Sequence, residues 1–309
     1  MPRAPKQIRA CLRNRTMLDT QSTSHTSGEH KVFKDTKLLR IGLGLMIACT
    51  ASCANYTKQL YDEAQQANRR PMIFNTEDYR IQAVLPQAQV RHLRIYVEGD
   101  GKAWATRSQP STDPTPTKQL VAHLAATDPM PSAYLARPCQ YVQDHHCNPQ
   151  VWTDQRFSKA AVNSLSAAVD QAKRAVGANE VDLVGYSGGG ALALLVAAKR
   201  SDVTSVQTLA GNVAPLAWAK MQSLTGLQGA LDPVDFANAL REIPQRHLVG
   251  TRDKVIPATL AKQYASSLGP NACVQLVTVD ATHEEGWEAA WSKYRASSIR
   301  CHFPSETRP

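Results

Sequence analysis

The chain has 309 residues, 43% of them hydrophobic and 20% charged, which suits one sizeable folded domain plus a leader and excludes a disordered chain. Its formal charge of +9 is concentrated at the N-terminus: residues 1–48 carry nine Lys/Arg against three Asp/Glu, leaving 26 basic and 23 acidic side chains elsewhere. A near-neutral remainder with no basic stripe and no interleaved stacking aromatics excludes nucleic acid as a partner.

In chain order, a basic stretch from Lys31 to Arg40 precedes the apolar run Ile41–Ala48. The run is too short to span a bilayer, which takes about 20 apolar residues. A positive segment, a short apolar segment and a small residue before a cut together describe a secretory signal, residues 1–48. Met46-Ile-Ala-Cys49 resembles a bacterial lipobox, which implies cleavage before Cys49 and thioether lipidation of its sulfur. Thr50-Ala-Ser-Cys53 is a weaker match, with Thr where an aliphatic residue belongs, so Cys53 is the alternative. A signal cleaved without lipidation and an uncleaved anchor are the other readings. Thirty residues precede Lys31, unusually many, which points to a translation start downstream of Met1. The expectation is a lipid anchor in the bacterial cell envelope, on the periplasmic side of the outer membrane, followed by a polar spacer over 49–71.

Export sets how the later cysteines read. Cys139, Cys147, Cys273 and Cys301 are an even number in an oxidising compartment, where disulfides form. Of three possible pairings, the expected one joins Cys139 to Cys147 across a short loop and Cys273 to Cys301 at the C-terminus. His145 and His146 beside Cys147 offer a metal site instead, but without a C-x-x-C pair or an H-x-x-x-H spacing. No metal or other cofactor is expected.

From about residue 72 to 309, short apolar runs alternate with helical patterns, as a mostly parallel sheet with helices on both faces requires. Leu93–Val97, Ala133–Ala136, Val181–Val184, Val206–Leu209, His247–Val249 and Val274–Val279 read as strands. Phe157, Ala161, Leu165, Ala168, Val169, Ala172 and Val176 recur at helical spacing and form one apolar face. Gly189–Ala198 is apolar all round and predicts a buried helix. Residues 212–242 hold few strand signals and read as an inserted helical cap, in which Ala217, Trp218, Leu224, Leu227 and Leu231 suggest an apolar lid. The stretch 110–116, with three prolines, reads as a loop over the working edge of the sheet.

Gly185-Tyr186-Ser187-Gly188-Gly189 follows a strand and opens a helix. That context turns a weak G-x-S-x-G pattern into a candidate nucleophile elbow, whose tight turn demands small residues two positions either side of the serine. A serine hydroxyl attacks only when a base takes its proton and an acid orients that base. His283 follows the last strand and precedes a final helix, and Asp253 lies in Gly250-Thr-Arg-Asp-Lys-Val-Ile-Pro257 after an earlier strand. Asp280 is the backup acid. His247 reads as a core histidine inside a strand. Two amides should form the oxyanion hole, that of Gly188 and that of Asp100 in the turn Val97-Glu-Gly-Asp-Gly101. Glu98 and Asp100 read as turn formers, with a cationic substrate or metal as the alternative.

With these residues the chain resembles the α/β-hydrolases from about residue 72 to 301. It departs from them in having Glu98-Gly99 where the family usually has His-Gly. Glu98–Gly101, Asp113–Pro116, Tyr134–Cys139, Trp152, Arg156-Phe157 and Ala210–Asn212 resemble, more narrowly, a little-characterised group of bacterial envelope hydrolases. The resemblance implies an acyl-enzyme on Ser187 acting on a small-molecule ester or thioester. Acyl transfer, amide or peptide hydrolysis, and a non-catalytic lipoprotein on a hydrolase fold stay open.

Overall fold

A computed structural model describes residues 55–224 and 226–301. The signal, Cys49 and Cys53 lie outside the described residues. Eight strands form one sheet: β1 (Arg69–Asn75), β2 (Arg80–Pro86), β3 (His92–Val97), β4 (Ser132–Leu135), β5 (Glu180–Tyr186), β6 (Val203–Leu209), β7 (Gln245–Gly250) and β8 (Val274–Val279). They lie in the order β1-β2-β4-β3-β5-β6-β7-β8. The strands from β3 to β8 run parallel, while β1 and β2 form an antiparallel hairpin that pairs antiparallel to β4.

Alternation along each strand sends side chains to opposite faces. Leu93, Ile95 and Val97 join one core with Ala83, Leu85, Ala133 and Leu135, whereas Tyr96, Val84 and Tyr134 join a second. Nine helices cover these faces among the described residues: α1 (55–66), α2 (Leu120–Ala126), α3 (Pro149–Trp152), α4 (Lys159–Val176), α5 (Gly188–Ala197), α6 (Pro215–Met221), α7 (Ala237–Leu240), α8 (Ala258–Ser267) and α9 (Trp287–Tyr294). The apolar stripe of α4 and every residue of α5 are buried, as their patterns require. Ser158 caps α4 by accepting the Ala161 amide, and Gly177, at φ 70°, closes it in the left-handed conformation that a side chain disfavours.

The segment expected to be a polar spacer over 49–71 is folded where it is described. Helix α1 packs Leu60 and Ala64 into the second core, and β1 starts at Arg69. Two small apolar patches one turn apart make a stripe too narrow to register in a Gln/Asn-rich segment. Its docking is completed by Tyr61, which donates to Gln82 at 3.0 Å, and by Gln119, which donates to the Tyr56 carbonyl at 2.7 Å.

Residues 212–242 do form short helices: α6, a 3-10 turn at Pro233–Phe236, and α7. The Asp232 carboxylate ties them together by accepting the amides of Leu216 and Val234 at 2.9 and 3.0 Å. They do not make one apolar lid. Leu227 and Leu231 pack against the main core, while Ala217 and Leu224 are exposed. Both expected disulfides are present, Cys139–Cys147 and Cys273–Cys301.

Candidate active site

Strand β5 ends at Tyr186 and α5 begins at Gly188, so Ser187 sits alone in the turn with φ 51° and ψ −122°. A β-branched or bulky side chain at position 187 itself would be strained at that positive φ, and the strain on Ser187 persists because the surroundings overdetermine it. The Ser187 amide donates to the Leu209 carbonyl at 3.0 Å, and the Ser187 carbonyl accepts the Asn212 amide at 2.8 Å. A β-carbon on Gly185 would collide with the Gly189 carbonyl, which is the reason the turn needs a glycine there. At Gly188 the space is taken instead by the Asp100 carboxylate.

His283 lies in the loop between β8 and α9. Its Nε2 is 3.1 Å from Ser187 Oγ and its Nδ1 is 2.9 Å from Asp253 Oδ2. The Asp253 side chain is fully buried, and its Oδ1 accepts the amides of Val255 and Ile256 at 2.8 and 2.9 Å. Burial pushes the Asp253 carboxyl up. The hydrogen bond to His283, the Ile256 and Val255 amides and the imidazole's charge outweigh that and hold it below the ordinary carboxylate range. An ionised Asp253 can only accept, so in the neutral imidazole Nδ1 carries the proton and Nε2 faces the serine with its lone pair. The His283 backbone carbonyl takes two further bonds, from the Tyr186 hydroxyl at 2.6 Å and the Trp287 indole at 2.9 Å. Tyr186, the residue before the serine, thus helps to position the loop that carries the imidazole.

The other candidates are elsewhere. Asp280 is exposed and pairs with Arg252 at 2.7 Å. His247 is buried, bonded to Thr208 Oγ1 at 2.9 Å, and burial pushes its pKa down to about 3, the behaviour of a neutral core histidine. Asp144, His145 and His146 bring one ligand atom each within 4.8 Å of one another on an exposed loop.

Around the elbow, the Gly99 amide is taken by its neighbour's carboxylate, Glu98 Oε1, at 2.9 Å. Glu98 Oε2 accepts the Tyr134 hydroxyl at 2.9 Å, and burial pushes this carboxyl up to about 7 against those bonds and the charge of Arg137. Among the described residues, neither the Asp100 amide nor the Gly188 amide donates to a protein acceptor. Both are free for an incoming oxygen. The Asp100 carboxylate is gripped by Arg137 and Arg156. Neither arginine is marked as a site residue by the sequence, because nothing in its local pattern says which acid it meets. The only signal was their place in stretches that resemble other hydrolases.

No protein-family model and no curated protein matches the sequence. Solved structures do match. An esterase of Pyrococcus furiosus, Pf2001, superposes with a TM-score of 0.54 at 12% identity, covering 74% of this chain and 87% of that one. Est1E from Butyrivibrio proteoclasticus gives 0.51 at 16% identity over 72% and 95%. The acylaminoacyl peptidase of Pyrococcus horikoshii gives 0.52 at 11% identity over 70% of this chain and 37% of that larger one. At such identities the likeness concerns the fold, and this chain has the α/β-hydrolase fold.

Proposed function

We propose that this protein is a serine hydrolase of carboxylic esters or thioesters. The observation that carries the reading is the continuous hydrogen-bonded chain Asp253–His283–Ser187, with the serine held in a positive-φ turn at the head of a buried helix. Ser187 Oγ adds to the substrate carbonyl carbon while its proton passes to His283 Nε2. The carbonyl electrons move onto oxygen, which accepts the Asp100 and Gly188 amides. Collapse of that intermediate expels the alcohol or thiol, which takes the proton from His283, and leaves an acyl-serine. Water, deprotonated by His283 in turn, then releases the acid. Asp253 keeps the imidazole in one tautomer and stabilises its charged form. The named esterases with this fold support the same class of reaction. The peptidase among them keeps amide hydrolysis as the second reading.

Ser187→Ala is expected to lower turnover of p-nitrophenyl acetate on the order of 10⁴–10⁶-fold with the thermal midpoint preserved. Full activity in that variant would overturn the assignment.

We also propose an envelope location with a lipid anchor on Cys49, or on Cys53 in its place. The support is the lipobox-like sequence and two disulfides in the domain, which suit an oxidising compartment. Cys49→Ala should move the protein from the membrane to the soluble fraction and end incorporation of labelled fatty acid. Labelling that persists until Cys53 is also changed would transfer the site.

A further inference from the structure

The amide of Asp100 is a donor to the proposed oxyanion, yet its own side chain works against that role. Its carboxylate packs against Gly188, the residue that supplies the second donor, and lies close enough to His283 to feel the imidazole's charge. A negative charge at that place opposes the one that develops on the substrate oxygen. Burial alone would push the carboxyl toward its neutral form. The guanidiniums of Arg137 and Arg156 override this and keep it ionised.

Those two guanidiniums are built into the fold. Arg137 Nη1 donates to Asp100 Oδ1, and its Nη2 donates to the Arg156 carbonyl at 2.9 Å. Arg156 Nε lies 3.2 Å from Asp100 Oδ2. Both arginine side chains are only 5% exposed, against 30% for Asp100. Both lie over the Phe157 ring, 5.4 and 5.1 Å from its centroid, and Arg156 lies 5.5 Å from the ring centroid of Trp218 in α6.

The loop that delivers Arg137 is tied to the same turn a second time. Gln140 Oε1 accepts the Arg137 amide at 2.9 Å, while Gln140 Nε2 donates to the Gly99 carbonyl at 3.0 Å. Gln140 is flanked by Cys139 at φ 69° and Tyr141 at φ 62°, two side chains held in the left-handed region. Cys139 is disulfide-bonded to Cys147. Strain of this kind persists only where neighbouring structure enforces it. Here it aims Arg137 and Gln140 at the oxyanion turn.

We propose that Arg137 and Arg156 are positioning residues for acyl transfer, which hold the Asp100 amide on the oxyanion and turn the charge beside it from one negative into one net positive. The inference rests on the serine-hydrolase reading. Its rival is a purely structural ion cluster that staples three loops together.

A charge-reversal cycle on p-nitrophenyl acetate, a neutral ester, separates the two. Arg137→Gln should lower kcat by about 30- to 100-fold with KM changed less than about threefold, less than the roughly 10²–10³-fold for deleting an oxyanion donor outright, because both amides remain. Arg137→Lys, which keeps the charge, should lose less than about fivefold. Asp100→Asn alone should lose less than Arg137→Gln. The double variant Arg137→Gln/Asp100→Asn should turn over about tenfold faster than Arg137→Gln, because removing the anion returns the net charge beside the oxyanion from zero to one positive, with Arg156 still in place. A double variant as slow as Arg137→Gln, or an Arg137→Lys as slow as Arg137→Gln, would overturn the proposal. If circular dichroism shows Arg137→Gln unfolded, the same cycle is run on Arg156→Gln with Asp100→Asn. An unaltered protein with no turnover, or with turnover that survives Ser187→Ala, would remove the hydrolase reading and this inference together. Ser187-dependent turnover with no rescue removes this inference alone.

Discussion

At Gly188 a carboxylate from another loop stands where a side chain would go, so the residue after Ser187 is small for a reason outside the turn itself. Gly188→Ala should displace Asp100 and lower kcat by about tenfold to a hundredfold, measured with KM on the same ester. Glu98 carries a different consequence. Its folded-state pKa of about 7 lies above the ordinary 4.5, so between those values the folded chain holds a proton that the unfolded chain releases. Stability therefore falls as pH rises from about 4.5 to about 7, by on the order of 3 kcal/mol from this group. Glu98→Gln keeps the neutral shape and should flatten that contribution. Urea unfolding at pH 5 and pH 8 would check it: the variant should gain on the native protein at pH 8, and an equal difference at both pH values would contradict it. The serine, histidine and aspartate were legible as residues because each follows a strand signal in an order that acyl chemistry requires. Glu98 and Asp100 were legible only as turn formers, since a carboxylate's partners are set by distance in space.

Among the elements, those with strong periodicity were readable and the weakly patterned one was not. Helix α4 advertises a seven-position apolar stripe, and α5 an unbroken apolar run, because each buries a wide surface against the sheet. Helix α1 buries only Leu60 and Ala64 deeply, and the antiparallel hairpin β1–β2 begins with two arginines and a proline, poor strand signals. Yet α1 is part of the second core. Leu60→Ala should cost about 2–4 kcal/mol in denaturant unfolding, the scale for a buried leucine, where a free spacer would show no change. The insert over 212–242 was legible as helical. Its division between core packing at Leu231 and Leu240 and exposure at Leu224 depends on which strands and helices run beneath it.

Across the whole molecule, the site is assembled from loops at the ends of β3, β5, β7 and β8, all on the same end of a parallel sheet. The last of these strands is an edge, and Cys273 at its start is tied to Cys301 across 28 residues. That segment carries His283 and α9. Closing a loop of this length restricts the unfolded chain by about 3.5 kcal/mol on the chain-entropy account. The double variant Cys273→Ser/Cys301→Ser should lose stability of that order in urea unfolding while Ser187-dependent turnover at low temperature is kept. Loss of turnover without loss of stability would mean the disulfide shapes the His283 loop directly.

The sequence by itself determined the parallel α/β architecture, the strand–turn–helix setting of Ser187, the chain order Ser187, Asp253, His283, and the even number of cysteines beyond residue 72, because each rests on local chemistry or short-period burial. Only the tertiary structure decided that β3 lies between β4 and β5, and with it that Arg137 and Arg156 close around Asp100 beside the elbow. Charges buried together choose partners across the fold by proximity, and proximity between distant segments leaves no periodic trace along the chain.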